Sequence, residues 1–307
     1  MEGEMDIKVN FSGRAIRYTE EEIAVVVEAM RNADPLTQGQ YMRAFESKFA
    51  RYQGVADGSC FTTMNGCAAL EMSAQLCRFK PGDELVIPSH TFTASAYPYL
   101  KKGARLVWAD VDPHTRVVTA ESIEKVLTPK TRAVVVVHLY GYVADMPAIA
   151  ALCKERGLIL IEDAAQSFGA SYHGKKACAF GHIATTSFFP AKPLGCYGDG
   201  GAIFTDDDAV DQLCRSLCVH GKGPGGKYDN VRVGMNSRLD AMQAAVLLPK
   251  LRALGTYEMD ARQMVAHRYN EAFAGRFVTP FVAEGCVSAW AQYALLAKDT
   301  AQRDAIV

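Results

Sequence analysis

The chain predicts an α/β protein with a mostly parallel sheet, helices on both faces and a smaller appended domain. Three observations carry this. From about residue 60 to residue 162, apolar runs short enough for strands alternate with helical stretches, the pattern of parallel strands joined by crossover helices. The run 133–139 is rich in valine and has no polar face, as a strand covered on both sides must be. After Gly200-Gly201-Ala202-Ile203-Phe204-Thr205 the alternation stops and helices dominate.

The elements follow in order. Thr19-Glu20-Glu21-Glu22 is a capping box, and the apolar-rich run to about Ala33 is the first helix. A second helix spans 41–52. Cys60–Thr63 is a strand, and Asn65-Gly66 turns into a helix over 67–77. Strand 84–88 leads to a helix over 94–101, and strand 105–108 to a helix over 120–127. Strand 133–139, helix 146–156 and the buried strand 158–162 complete the alternation. Helices at 207–218, 238–253 and 259–274 come next. The large domain is therefore expected over 1–250 and the smaller one over 251–307. The Gly- and Lys-rich stretch 221–230 is expected to be a mobile loop.

With 307 residues, 49% hydrophobic and 22% charged, the chain has ample length for a full core. Its formal net charge of −1 supplies no basic excess for nucleic acid or for an anionic membrane surface. No apolar run approaches the ~18–20 residues of a membrane span. The first residues are acidic and lack the apolar core of a signal peptide. The nine cysteines are odd in number and irregularly spaced, so they read as reduced thiols and place the protein in the cytoplasm. Cys214 and Cys218 stand four apart on a helix, but no second Cys/His pair has metal-binding spacing, so no metal is expected.

The chemistry lies in two runs. Ile161-Glu162-Asp163-Ala164-Ala165-Gln166-Ser167 places Asp163 at the carboxyl end of a buried strand, where open α/β sheets bind ligands. Thr186-Ser187-Phe188-Phe189-Pro190-Ala191-Lys192 places a serine and then a lysine after a later strand, ahead of a glycine-rich turn. Pyridoxal phosphate (PLP) needs these groups: a lysine for a Schiff base with its aldehyde, a carboxylate to keep its pyridine nitrogen protonated, and a hydroxyl for its phosphate. Alone, Asp163 is equally consistent with a helix cap, and a lysine is most often a surface group. The combination decides for the cofactor. Packing in a Phe-Phe-Pro setting should desolvate Lys192 and lower its pKa toward that of a working amine. Gly66 and Cys67 open a helix whose free N–H groups form an anion site. Phe92 could stack on a flat ring, though a core phenylalanine is the commoner case. Gly234-Met235-Asn236-Ser237-Arg238 offers polar donors ahead of a helix and is by spacing alone only a helix start. A G-x-G-x-x-G pattern at Gly221, Gly223 and Gly226 follows a helix rather than a strand, so no dinucleotide site is expected there.

Taken together, these segments resemble the DegT/StrS-type sugar aminotransferases, a fold-type I PLP family. The resemblance runs from about residue 34 onward. It is carried by Asn65-Gly66-Cys67-Ala68-Ala69-Leu70, Pro81-Gly82-Asp83-Glu84, Thr91-Phe92-Thr93-Ala94, His138-Leu139-Tyr140-Gly141, Glu162-Asp163-Ala164-Ala165-Gln166, Ser187 to Lys192, and Gly234 to Arg238. The stretch from Glu162 to Asp240 is similar to the subgroup that aminates UDP-2-acetamido-3-keto-glucuronate, while Ala33-Asp34-Pro35-Leu36-Thr37 looks closer to other members.

The resemblance implies a seven-stranded, mostly parallel sheet and a small C-terminal α+β domain that is truncated at Val307. It implies that Lys192 carries the PLP Schiff base, Asp163 binds the pyridine nitrogen and Gln166 contacts the ring hydroxyl. Phe92 stacks on the ring, while Ser187 with the backbone of Gly66 and Cys67 holds the phosphate. Asn236 reaches the phosphate of a neighbouring subunit in a homodimer with shared sites, and Arg238 meets a substrate carboxylate. Cys67 departs from the family's usual threonine. The expected reaction moves an amino group from L-glutamate to a nucleotide-linked keto-sugar for surface polysaccharide or aminosugar synthesis. The rival readings are a PLP or sugar binder without turnover, and a PLP-dependent sugar dehydratase. Lys192 argues against the dehydratase, which carries histidine at that position.

Overall fold

The computed structural model describes residues 18–56, 58–226 and 228–306; the acidic N-terminal segment read above, Lys227 of the glycine-rich loop and Val307 lie outside the described residues. Two helices lead in: α1 (Glu20–Asn32), with the Thr19 capping box formed in both directions, and α2 (Gln40–Gln53), ended by Gly54 in the left-handed region. The alternating region follows as β1 (Cys60–Thr63), α3 (Gly66–Leu76), β2 (Glu84–Pro88), α4 (Tyr97–Lys101), β3 (Arg105–Ala109), α5 (Ala120–Glu124), β4 (Thr131–Val137), α6 (Met146–Arg156) and β5 (Ile159–Asp163). Two short strands, β6 (Ser171–Tyr172) and β7 (Lys175–Lys176), precede β8 (Ile183–Ser187), β9 (Gly201–Phe204) and α7 (Asp208–Cys218). The chain then runs through α8 (Ala241–Ala253), α9 (Met259–Phe273), β10 (Cys286–Val287) and α10 (Thr300–Asp304).

The main sheet has seven strands in the order β1-β9-β8-β5-β4-β2-β3. The pairs β8/β5, β5/β4, β4/β2 and β2/β3 are parallel, and β9 alone runs against its two neighbours. Strands β1, β2, β4, β5 and β8 therefore end at one edge of the sheet, and β9 begins there. Val134 to Val136 and Leu160 to Ile161 are buried, which matches the absence of a polar face in their sequence. A smaller sheet, β10-β6-β7, joins the C-terminal segment to the loop after β5.

Several boundaries differ from the sequence reading, each for a physical reason. The helix expected over 94–101 is a 3₁₀ turn at Thr93–Ser95 followed by α4, because Pro98 has no N–H and belongs in a first turn. The helix expected from residue 238 starts at Ala241, because the Asp240 carboxylate accepts from the N–H groups of Met242 and Gln243 and caps it there. The helices expected as separate over 238–253 and 259–274 are joined by one π-helical turn, Leu254–Glu258. The glycine-rich loop 221–230 folds back on Asp229, whose carboxylate accepts from Gly225 N–H at 2.7 Å.

An aromatic cluster fixes the approach to the later strands. Phe49 stacks on Phe168 at 4.5 Å between centroids, and Phe45 and Phe49 meet Phe188 edge-on at 5.4 and 5.3 Å. Phe188 is thereby anchored directly after β8, at the start of the run that carries Lys192.

Candidate active site

The predicted groups gather at the edge where the parallel strands end. Asp163 is the last residue of β5 and is buried at 4% exposure, so it is not a surface helix cap. Its Oδ1 accepts from Ala165 N–H at 3.1 Å, and its Oδ2 accepts from the Ser95 hydroxyl at 2.6 Å. Ser95 is itself buried, and its Oγ lies 2.9 Å from Thr91 Oγ1.

Lys192 follows β8 after a tight turn in which its N–H donates to Phe189 O at 2.8 Å. Of the two phenylalanines before it, only Phe188 is packed; Phe189 is 52% exposed, because the chain turns outward once Phe188 is anchored. The desolvation predicted for Lys192 is present all the same. Burial lowers its pKa below the ordinary lysine value, and the nearby Asp163 and Cys67 partly offset that by favouring the ammonium. Arg262 of α9 braces the same loop, with Nη2 3.5 Å from Pro193 O and Nη1 3.4 Å from Ala289 O. A cavity of about 630 Å³ adjoins the loop, lined by Lys192, Lys250, Arg262, Tyr257 and Trp290 among others.

The start of α3 faces the end of β8. The Asn65 side chain caps the helix by accepting from Ala68 N–H at 2.8 Å. The N–H groups of Gly66 and Cys67 find no acceptor among the described residues. A Cβ on Gly66 would sit 2.8 Å from Ser187 Cβ, and one on Gly201 would sit 2.7 Å from Gly66 N. Glycine is required at both places because the start of α3 comes so close to Ser187 and Gly201 that neither position has room for a Cβ. Donors with no partner, a serine hydroxyl opposite and no side chain between them make an anion cradle at a helix N-terminus. The Cys67 thiol lies beside the Tyr97 hydroxyl; that neighbour first, and burial second, push the Tyr97 pKa up to about 12.

Gln166 is held by Tyr140, whose N–H donates to Gln166 Oε1 at 2.7 Å. This leaves the amide nitrogen of Gln166 as its free donor. Tyr140 has φ 60°, and its hydroxyl lies 3.3 Å from His90 Nε2, so a strained residue is clamped at both ends. Phe92 begins the turn that carries Ser95 and is 70% exposed, so its ring is open to a flat ligand and is not a core residue. Asn236 and Arg238 stand apart from these groups. They bond to each other, Arg238 Nε donating to Asn236 Oδ1 at 3.0 Å, and Arg238 lines a cleft with Glu46, Thr62 and Arg215. The residues sequence reasoning missed are Thr91, Ser95, Tyr97 and Tyr140. Only the four-residue spacing of Thr91 and Ser95 hinted at a shared face.

The cradle, the opposed amine and the buried carboxylate fit a flat anionic cofactor that carries phosphate and a ring nitrogen. At the carboxyl edge of a large α/β sheet, that combination defines the class as the PLP-dependent transferases. The chain belongs to the DegT/DnrJ/EryC1/StrS aminotransferase family, whose model matches residues 17–307. It is 42% identical over 264 residues to the UDP-2-acetamido-2-deoxy-3-oxo-D-glucuronate aminotransferase of Pseudomonas aeruginosa, covering 84% of this chain and 72% of that protein. Its fold matches the crystal structure of a DegT DnrJ EryC1 StrS aminotransferase from Brucella abortus with TM-score 0.85 and 39% identity, over 93% of this chain and 78% of that one. It also matches NtdA from Bacillus subtilis with bound cofactor PMP, TM-score 0.84 and 29% identity, over 94% of this chain and 66% of that one. Aminotransferases of this family are PLP-dependent, which makes PLP the cofactor here. Among the described residues no helix is long and apolar enough to cross a membrane.

Proposed function

We propose that this aminotransferase moves the amino group of L-glutamate to a nucleotide-linked sugar that carries a ketone at carbon 3, supplying an aminosugar for surface polysaccharide. The observation that carries the site assignment is the convergence of a half-buried amine, a buried carboxylate and the Gly66/Ser187 cradle at one sheet edge. The 3-keto sugar is proposed from the Pseudomonas aeruginosa relative, whose substrate class its name gives.

PLP supplies an aldehyde that carries the amino group between two substrates and a ring that draws electrons from the reacting carbon. The chain's residues do the rest. Lys192 would hold the aldehyde through Nζ and, as a free amine, would move a proton from the α-carbon of glutamate. Its lowered pKa makes the neutral amine easier to reach. Asp163 would face the ring nitrogen and hold a proton there. The amide nitrogen of Gln166 would donate to the ring oxygen, and Phe92 would cover one face of the ring. The N–H groups of Gly66 and Cys67, with the Ser187 hydroxyl, bind the phosphate.

In this proposal the active form is a homodimer. Asn236 and Arg238 reach the neighbour's site, Asn236 toward its phosphate and Arg238 toward a substrate carboxylate. That assignment suits two polar residues whose side chains bond to each other, Arg238 also lining the outer cleft. The division at residue 250 also belongs to the proposal, with the cofactor site in 1–250 and the start of the smaller domain in 251–307.

The test is a half-reaction. PLP-loaded protein mixed with L-glutamate should release 2-oxoglutarate in an amount equal to bound cofactor, and borohydride should fix the cofactor to Lys192 in a peptide map. Lys192→Ala should lower the rate by about 10³-fold or more. A Lys192→Ala protein that released 2-oxoglutarate at the normal rate would sink the assignment. Full turnover with a UDP-linked 3-keto sugar then tests the acceptor.

A further inference from the structure

We propose that Ser95 is a positioning residue which, with Thr91 behind it, aims the Asp163 carboxylate at the cofactor's ring nitrogen. The proposal rests on the reading that Asp163 meets that nitrogen.

The proton count settles the direction of the chain. A carboxylate can only accept, so the 2.6 Å contact uses the one proton of Ser95. Ser95 Oγ then has only lone pairs left, and the 2.9 Å contact must be a donation from Thr91. Both hydroxyls therefore point their protons toward Asp163. Ser95 on one oxygen and Ala165 N–H on the other fix the plane of the carboxylate.

The choice of donors matters as much as their number. An arginine or lysine in place of Ser95 would neutralise the carboxylate and compete with a protonated ring nitrogen. Two neutral donors restrain the group and leave its charge unspent for the ligand. The ionisable groups that feel the charge of Asp163 include Lys192 on the loop after β8, Tyr99 on α4, whose hydroxyl bonds to Ser73, and Cys178, which lies on the Glu162 side of β5. Burial holds the Tyr99 and Cys178 pKa values well above their ordinary ones, so both stay neutral. The turn Thr93–Ser95 couples this arrangement to Phe92, which caps it. One short segment thus presents a ring face with Phe92 and sets the ring-nitrogen partner with Ser95.

The test compares PLP with an analogue bearing CH in place of the ring nitrogen, bound to wild-type, Ser95→Ala, Ser95→Thr and Thr91→Val proteins, with circular dichroism to verify folding. Ser95→Ala is expected to weaken PLP about 10–100-fold while changing analogue binding little. Ser95→Thr should restore PLP affinity to near wild type, and Thr91→Val should cost about 3-fold. Equal losses on both ligands, unchanged PLP affinity in Ser95→Ala, or no rescue by threonine would overturn the proposal alone. Wild-type protein that held PLP and the analogue equally tightly would overturn the reading of Asp163, and the proposal with it.

Discussion

His138 Nε2 lies 3.0 Å from Glu162 Oε2, and neither side chain is open to solvent. Ala144 N–H donates to His138 Nδ1 at 3.4 Å, so the ring proton sits on Nε2 and points at the carboxylate. Glu162 also accepts from the N–H groups of Cys178, Phe180 and Gly181 at 3.0, 2.7 and 2.6 Å. Strand alternation turns Glu162 away from the site and its neighbour Asp163 toward it. Glu162 is saturated by four donors, whereas among the described residues Asp163 has two and keeps lone pairs for a ligand.

Glu162→Ala should therefore destabilise the fold by about 3–5 kcal/mol, because one buried and two half-buried N–H groups and a buried imidazole N–H lose their acceptor together. Glu162→Gln should cost less, about 1–3 kcal/mol, since one oxygen still serves Phe180 and Gly181. Urea unfolding of the cofactor-free proteins measures both. An alanine variant as stable as wild type would show that water satisfies these groups.

Lys192 has a stability signature separate from its chemistry. Its folded pKa is lowered mainly by burial, so the folded state binds this proton more weakly than the unfolded chain does. The cost is full below the lowered value and disappears as pH rises through the ordinary lysine value of 10.5. Lys192→Met should thus raise the melting temperature of cofactor-free protein by about 2 °C at neutral pH, and the gap should close toward pH 10.5. Paired melting curves across that range check the sign. A variant less stable than wild type at neutral pH would show that the amine has stabilising partners.

The phosphate cradle is tested from both sides. Gly66→Ala places a methyl group 2.8 Å from Ser187 Cβ, where something must shift. It should cost about 1–3 kcal/mol in stability and at least ~10-fold in PLP affinity. Cys67→Ser keeps the backbone N–H and replaces a weak thiol donor with a hydroxyl, so PLP should bind about 3–10-fold more tightly. Equilibrium titration with PLP reads both. Cys67→Ser that weakened PLP would mean that the contact with Tyr97 matters more than the gained donor.

What the sequence made legible was local. Thr19 with Glu22, Asp163 after an apolar strand, and Lys192 after Phe188 are signals contained within a few residues, and the parallel strands show in runs without a polar face. Contacts that cross the chain were not legible. Ser95 and Asp163 are 68 positions apart, and nothing in either neighbourhood announces the other. The exposure of Phe189 was hidden because hydropathy does not show where a chain turns outward. The π turn at Leu254–Glu258 was missed because widening a helix by one residue leaves no local composition mark.

The proposed shared-site dimer has a decisive test. Asn236→Asp would set a negative charge against the neighbour's bound phosphate, and Lys192→Ala removes the amine, so each variant alone should be nearly inactive. In a mixed dimer of the two, one site carries both defects and the other carries neither. Random reassortment makes half the dimers mixed, so an equimolar mixture, unfolded and refolded together, should regain about a quarter of wild-type activity. If Asn236 instead served the site of its own chain, every site in the mixture would carry one defect and no activity would return. The activity of the refolded mixture therefore decides in one measurement whether Asn236 acts across a subunit boundary.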